Sequence, residues 1–222
     1  MFRESLPLLS SLLLATSLHG ASILNPSFED GVPVGQEEAP FFSETAPPGW
    51  SNWSSLLNTP TTITQTPMWA HIRSGIPAAS EGSYFVNLSG YRAIDPQTQA
   101  LQVVESGIRT TVSGLTAGYT YTVSMDVTNI LLGNRSVFSA NGLLDTYVGD
   151  VGATLVLNDS LSITDQMAFN GSAWESTSNG TYSFSFTATA EEMDIGFRAR
   201  LTDTTGDSTG RRYDLGIDNV TI

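Results

Sequence analysis

The sequence predicts an all-β protein whose single domain is an antiparallel β-sandwich of the jelly-roll class. Apolar and polar residues alternate along several short segments, and no segment after residue 20 sustains the 3.6-residue apolar stripe of a helix over three turns. Roughly 200 residues follow the N-terminal segment, which is enough for one sandwich with a sizeable core. We therefore expect one domain over residues 21–222.

The first element is a predicted secretory signal peptide over residues 1–20. Arg3 precedes the apolar run LPLLSSLLLATSL, and the small residues of HGAS follow it. The run is shorter than the ~20 residues of a membrane-spanning helix, and no comparable run occurs later. We expect cleavage after Gly20 and a secreted, extracellular protein with no transmembrane segment in its mature part.

The strands follow from a period of two. In the segment 119–127, for example, Tyr119, Tyr121 and Val123 alternate with threonine and serine, which indicates one buried face. Residues 30–53 and 129–150 lack clear alternation and are predicted to be irregular loops. In chain order, the predicted strand segments are SYFVNL (83–88), ALQVV (100–104), IRTTV (108–112), YTYTVSMDV (119–127), ATLVLN (153–158), YSFSFTATA (182–190), MDIGFRARL (193–201) and YDLGIDNVTI (213–222).

The last strand contains a phase slip. Three residues separate Ile217 from the next apolar residue, Val220, where two would continue the pattern, and this is how a β-bulge appears in sequence. If the first and last strands are neighbours, Glu29 in NPSFEDG could converge with Asp218. Such carboxylates, supplemented by backbone carbonyls, suit Ca²⁺. The alternative is that both are exposed turn residues that never meet.

Composition narrows the partners. The chain has 22 Asp and Glu against 9 basic residues, all arginine, for a net charge of -13. This field disfavours nucleic acid, whereas cations, neutral glycans and basic surfaces stay compatible with it. There is no cysteine, so an exported fold must rely on its core or on a metal, which suits bacterial export.

Several short motifs together resemble a known family. In order they are NPSFEDG, PPGW, EGSYFVNLSG, LTAGYTYTVSMDV and LGIDNVTI. This pattern resembles carbohydrate-binding modules of families four, nine and twenty-two, and the related jelly-roll domains of exported bacterial proteins, many of which carry a PEP-CTERM sorting tail. The likeness spans almost the whole mature chain. It implies a galactose-binding-like sandwich with a structural calcium ion, held by Glu29, Asp218 and either the Glu81 side chain or the Gly82 carbonyl.

The resemblance also implies binding of extracellular polysaccharide. Exposed aromatic rings offer apolar area at little entropic cost, which suits the faces of sugars. Trp53 and Trp69 are preferred because Asn52, Gln65 and His71 nearby could donate hydrogen bonds, although each ring could instead pack beneath a long loop. Trp50 is expected to cover the core edge. The candidate sugar-binding residues are Trp53, Trp69, Tyr91 and Trp174, in predicted loops, and Phe85, on the polar face of its strand.

We expect no enzymatic activity. After the signal peptide only His71 could serve a Ser-His-Asp arrangement, and no G-x-S-x-G, H-E-x-x-H or phosphate-loop motif is present. Paired carboxylates for glycoside hydrolysis stay open as an alternative, since the chain has many acids. Threonine and serine dominate the polar faces of the strands, however.

The alternative function is a structural or adhesive component of a bacterial cell surface or matrix without glycan specificity. An extended Thr/Ser face with its aromatics buried would favour that reading, and a cluster of exposed aromatics would favour sugar binding. N-glycosylation sequons, which would matter in a eukaryotic secretory pathway, occur at Asn52, Asn87, Asn134, Asn158, Asn170, Asn179 and Asn219.

Overall fold

The computed structural model describes residues 20–30, 42–43, 46–54, 68–71, 84–94, 99, 101–129, 142–163, 182–202 and 212–222. Within these ranges every regular element is a strand and every strand pairing is antiparallel, so the predicted all-β class is confirmed. The same ranges contain no helix long and apolar enough to cross a membrane. The strands are β1 (Ser22–Ile23), β2 (Phe42–Ser43), β3 (Trp50–Ser54), β4 (Met68–His71), β5 (Tyr84–Ile94), β6 (Leu101–Ser113), β7 (Thr120–Asn129), β8 (Gly142–Asp150), β9 (Val156–Ile163), β10 (Tyr182–Thr187), β11 (Glu192–Leu201) and β12 (Arg212–Thr221).

The strands form two sheets that share one long strand. Sheet A has the order β3, β6, β11, β8 and β9, and β1 pairs with the same edge of β6 as β3 does. Sheet B has the order β10, β7, β12, β5, β4 and β2. Strand β6 pairs with β5 through residues 101–105 and with β11 through residues 107–113, so it passes from one sheet to the other. The result is an antiparallel sandwich of the jelly-roll class.

The core lies between the sheets and is built from alternate residues. On β10 and β11 the predicted inward residues are all buried, and Phe184 of sheet B meets Phe197 of sheet A edge to face, with 6.1 Å between ring centroids. Trp50 is also buried and lies 6.0 Å from Phe197, while its Nε1 donates a hydrogen bond to the Asn25 carbonyl at 3.0 Å. Its predicted place at the core edge is confirmed.

Two predicted loops contain strands. The segment 129–150 includes β8, and the segment 30–53 includes β2 and most of β3. Strand β8 shows no alternation because side chains on both of its faces are buried, Leu144 on one and Asp145 and Tyr147 on the other. Strand β3 reads Trp-Ser-Asn-Trp-Ser, and its pairing with β6 rather than its own pattern places it in the sheet.

Two aromatic assignments were wrong. Phe85 is fully buried, as is its neighbour Val86, because β5 lies inside sheet B between β12 and β4 and is covered on both faces there. Phe85 therefore offers no surface to a sugar. Tyr119 is 66% exposed because it precedes β7 in a tight turn in which Gly118 has a φ of 85°.

The predicted bulge in the last strand is confirmed. The register of β12 against β7 shifts between Asp218 and Thr221, and Asn219 has a φ of 49°. The bulge contacts the N-terminal turn, because the Val220 N–H donates to the Pro26 carbonyl at 2.9 Å. The two ends of the domain are therefore neighbours.

Candidate binding site on the outer face of sheet A

Two rows of residues cross all five strands of sheet A on the side that faces away from the core, which we call the outer face. Opposed residues of an antiparallel pair project to the same side. Phe197 and Ala199, which flank one member of the first row, enter the core, so that row lies outside. The first row is Trp53, Gly107, Arg198, Asp145 and Ser160, and the second is Ser51, Arg109, Gly196, Tyr147 and Leu157.

The Trp53 ring lies over two glycines of strands β6 and β11, Gly107 and Gly196. A Cβ at Gly107 would come within 3.1 Å of the Trp53 ring, and one at Gly196 within 3.3 Å, so the absence of both side chains makes room for the indole. The ring also meets Tyr147 edge to face, with centroids 4.5 Å apart. It is partly exposed. Trp53 is therefore an aromatic surface held in one orientation.

Asp145 is the polar centre of the outer face and is completely buried. Its two carboxylate oxygens accept bonds from two arginines: Arg200 Nε at 2.7 Å, Arg200 Nη2 at 3.0 Å and Arg198 Nη2 at 3.0 Å. Ser160 Oγ donates at 2.7 Å and the Tyr147 hydroxyl at 3.3 Å. A buried carboxylate is tolerated only when it is paired and hydrogen-bonded in this way.

The network shifts the pKa of three groups. Burial alone would raise the pKa of Asp145, but the hydrogen bonds from Arg200, Ser160 and Arg198 outweigh it and lower that pKa below its usual value. The Asp145 carboxylate raises the pKa of Arg200. Burial, with the nearby Asp145 charge, raises the pKa of Tyr147 to about 12. At neutral pH the centre thus holds an ionised Asp145 and a neutral Tyr147.

Arg198 joins this centre to the aromatic rings. Its guanidinium carbon lies 5.0 Å from the Tyr147 centroid and 6.0 Å from the Trp53 centroid, which is cation–π range. Its Nε is 3.5 Å from Glu105 Oε2, an ion-pair distance, and this nitrogen has no hydrogen-bond partner among the described residues. Charge and aromatic surface therefore form one continuous patch.

A pocket of about 330 Å³ opens beside this patch. Arg109, Thr111 and Asp194 line it, with Ser51 and Val151 among the other contributors. Ser51 precedes Trp53 by two residues on the same face of β3, so the pocket adjoins the indole. Its lining offers both cationic and anionic side chains, together with hydroxyl groups, which is suited to a polar ligand.

The chain ends form a second polar region. Asn25 is buried and has a φ of 52°, its Oδ1 accepts from the Asp30 N–H at 3.0 Å, and its Nδ2 donates to the Pro48 carbonyl at 3.2 Å. This side chain shapes the NPSFEDG turn, whose Pro26 carbonyl bonds to the bulge. Asp218 in the bulge is completely buried and accepts from the Asn219 N–H at 2.8 Å, and Glu29 is partly buried.

The structure separates the predicted sugar-binding residues. Trp53 lies on sheet A, whereas Trp69 and Tyr91 lie on β4 and β5 of sheet B, in strands and not in the predicted loops. Phe85 is fully buried and therefore cannot contact a sugar. Trp174 and the calcium candidates Glu81 and Gly82 fall outside the described residues. Of the predicted set, Trp53 alone lies on the outer face of sheet A among described residues.

Sequence reasoning missed most of the polar groups on this face. Asp145 and Tyr147 lie in a segment predicted to be a loop, and Arg109 lies on a predicted strand whose alternation gives no sign of a binding role. One signal was available: Arg198 and Arg200 occupy successive outward positions of a strand with clear alternation. Two arginines side by side in a chain with only 9 basic residues indicate a nearby carboxylate.

Comparison with known proteins yields similarities of fold. No family model matches the chain, and no curated protein matches it. Solved structures with a similar fold include two carbohydrate-binding modules, the class that the sequence motifs resemble. The structure titled "CBM4 structure and function" is 17% identical over 79% of this chain and 94% of that one, with a TM-score of 0.31. The xylan-binding domain from CBM 22 is 13% identical over 86% and 100%, with a TM-score of 0.34.

A third structure is the enzymatically active domain of tailspike protein 4 from bacteriophage CBA120. It is 12% identical over 78% of this chain, with a TM-score of 0.40, and the chain spans only 19% of its length.

Proposed function

We propose that this protein is a non-catalytic domain that binds polysaccharide through the outer face of sheet A. This proposal rests on Trp53, a partly exposed indole held by Gly107 and Tyr147 beside the 330 Å³ pocket that Arg109 and Asp194 line. A ring held in this way can stack on a sugar without losing side-chain entropy on binding, and the pocket's hydroxyl and charged groups can fix the sugar hydroxyls.

Replacing Trp53 with alanine should weaken glycan retention at least about tenfold, since buried or half-buried tryptophans commonly supply the largest single contributions at binding sites. The measurement is affinity electrophoresis through gels that contain a panel of soluble polysaccharides. Tyr119→Ala is the matched control, because Tyr119 is 66% exposed in a turn outside the outer face. Retention that survives Trp53→Ala unchanged would remove this site from consideration.

We propose in addition a structural calcium ion between the chain ends, with Glu29 and Asp218 among its ligands. Support comes from the Pro26–Val220 hydrogen bond, which brings the two segments together, and from the oxygen-only donor set. No three His, Cys, Asp or Glu side chains of the described ranges converge on one point. Backbone carbonyls, amide oxygens or water would supply the remaining ligands.

Replacing Glu29 or Asp218 with alanine should lower the melting temperature more in calcium than in chelator. A metal that binds only the folded state adds ~2.7 kcal/mol at a hundredfold its dissociation constant, and the variants would lose that increment. The control is Asp150→Asn, at the exposed end of β8. Equal losses of melting temperature with and without calcium would show that these carboxylates act through protein contacts alone.

A second candidate is a surface or matrix component without glycan specificity. It is favoured by hydroxyl pairs on the outside of sheet B, where Thr122 Oγ1 lies 2.9 Å from Ser185 Oγ and Thr120 Oγ1 lies 3.4 Å from Thr187 Oγ1. The Trp53 experiment distinguishes the two, because this second function requires no retention by any glycan. Under both proposals the chain is an exported protein, as the segment 1–20 predicts, and the net charge of -13 opposes nucleic acid as a partner.

A further inference from the structure

On the outer face of sheet A, the arginines around Asp145 are paired with carboxylates, whereas the arginine in the pocket beside Trp53 is not. Around Asp145, the two cations Arg198 and Arg200 meet two carboxylates, Asp145 and Glu105, within 3.5 Å. Among the described side chains, that part of the face therefore carries two positive and two negative charges. The pocket beside Trp53 is different, because its cation is Arg109.

Arg109 has no carboxylate of the described residues within ion-pair distance. Its Nε donates to a neutral partner, Ser51 Oγ, at 3.3 Å. A guanidinium has five N–H donors, so four of them are left to the pocket and its solvent. In a chain with 22 acidic residues against 9 arginines, an arginine on a sheet face that lacks an acidic partner is unexpected.

Asp194 lines the same pocket but forms no ion pair with Arg109. Its Oδ1 accepts from Thr111 Oγ1 at 2.7 Å and its Oδ2 from the Gly152 N–H at 3.0 Å, and it is almost completely buried. Both of its oxygens are therefore occupied by neutral donors that hold the carboxylate against the sheet. The cation of Arg109 stays available to a ligand.

We infer that the Arg109 pocket accepts the carboxylate of a uronic acid, so that the glycan is a largely neutral polysaccharide with uronic acid residues at intervals. This inference rests on the proposed glycan binding at Trp53. The planar fork of an arginine matches a carboxylate with two parallel N–H···O bonds, and a hydroxymethyl group in the same position offers only one acceptor oxygen. A sugar stacked on Trp53 would place its neighbour in the chain at the adjoining pocket.

The negative charge of the protein limits how closely the uronic acids of the glycan can follow one another. A protein with a net charge of -13 repels a dense polyanion, and the repulsion acts over about 8 Å at physiological salt. A single carboxylate at the guanidinium lies well inside that distance and is attracted. The ligand is therefore an occasional uronic acid on a neutral backbone rather than a polyuronate.

The test uses matched polysaccharides that differ only in the carboxyl group. Glucuronoxylan, xanthan and gum arabic are each tested in native form and after reduction of their carboxyl groups to hydroxymethyl groups, with polygalacturonate as the dense polyanion. Dissociation constants for the whole domain are measured by affinity electrophoresis in 0.15 M salt. The variants are Arg109→Gln, Arg109→Lys and Trp53→Ala, and Arg212→Gln on β12 of sheet B is the control with the same change in charge.

We expect at least one native glycan to bind about tenfold or more tightly than its reduced form, the size of one charge-assisted hydrogen-bonded contact. Arg109→Gln should weaken binding of the native form more than binding of the reduced form and so abolish this preference, Arg109→Lys should restore part of it, and Trp53→Ala should weaken both forms. Equal affinity for native and reduced glycans, or equal losses on both with Arg109→Gln, would overturn the inference while the proposed function stands. Tightest binding to polygalacturonate would also overturn it, and retention by none of the glycans would overturn both proposals.

Discussion

Replacing Asp145 with asparagine is expected to lower the free energy of unfolding by about 3 kcal/mol. The change leaves Arg198 and Arg200 facing a neutral amide in a site where the carboxylate was fully buried, and breaking a buried ion pair in this way costs about 3–5 kcal/mol. The low end applies because the Arg200 side chain is 36% exposed and can be hydrated by solvent. For a domain of this size the melting temperature should fall by about 6–12 °C.

The pH dependence identifies the mechanism. The pKa of Asp145 is lowered in the folded protein relative to its ordinary value of 3.8, so its stabilising contribution is fully present above pH 3.8 and is lost as the pH falls below that value towards the folded pKa. The difference between wild type and Asp145→Asn should therefore narrow below pH 3.8. Asp150→Asn at the exposed end of β8 is the control and should cost little at any pH. A constant difference across the whole range would indicate lost packing and not a lost charge.

The second large effect is expected at Gly107. A Cβ there would come within 2.6 Å of the Phe197 carbonyl oxygen and 2.7 Å of the Trp53 carbonyl oxygen, both of them backbone atoms of the neighbouring strands. The sheet would have to part at the centre of β6, because neither oxygen can rotate away. We expect Gly107→Ala to lower the free energy of unfolding by about 2 kcal/mol, within the range found for overpacked positions.

Gly196→Ala is the matched control, since Gly196 also lies under the indole. Its Cβ would meet Leu155 Cδ1 at 2.7 Å and the Trp53 ring at 3.3 Å. Both neighbours are side chains, and the nearer atom is the end of a flexible side chain that can move. Chemical denaturation of both variants should therefore show a loss at Gly196 of less than about 1 kcal/mol. Glycan retention should fall more in Gly107→Ala, because the displaced β3 backbone carries Trp53 with it. Equal destabilisation of the two variants would show that side-chain crowding, and not the backbone contact, limits both sites.

Both substitutions affect the outer face of sheet A, one at its buried ion pairs and the other at the backbone under Trp53. Asp145 holds the Arg198 guanidinium in place over the rings of Tyr147 and Trp53, and Gly107 leaves the space in which the indole lies. Among the described residues, the outer face of sheet A is thus organised by contacts between its own strands. A site built on paired strands loses less entropy on binding than one that a loop must close.

The sequence by itself determined those strands that turn only one of their two faces towards the core. Alternation was correct along β10, where the outward serine and threonine residues are exposed and the inward residues are buried. It was also correct along β11 for the inward residues, although the outward Asp194 and Gly196 are buried as well. The spacing of three residues between Ile217 and Val220 located the bulge, since an extra residue in a period of two has few other causes. Trp53, predicted as a sugar-binding aromatic in a loop, is partly exposed and lies in a strand, and its binding role stays a prediction.

Only the tertiary structure decided which polar residues meet. Asp145 and Arg200 are 55 positions apart in the chain and become neighbours through the pairing of β8 with β11, which no local pattern records. Strand β8 escaped prediction for the same reason: its outward side chains are buried by the ion pairs and rings around them, so its hydrophobic period vanishes. A sequence alternates between apolar and polar residues only when one face of the strand is buried and the other is exposed to water. In β8 both faces are buried, so the alternation is lost.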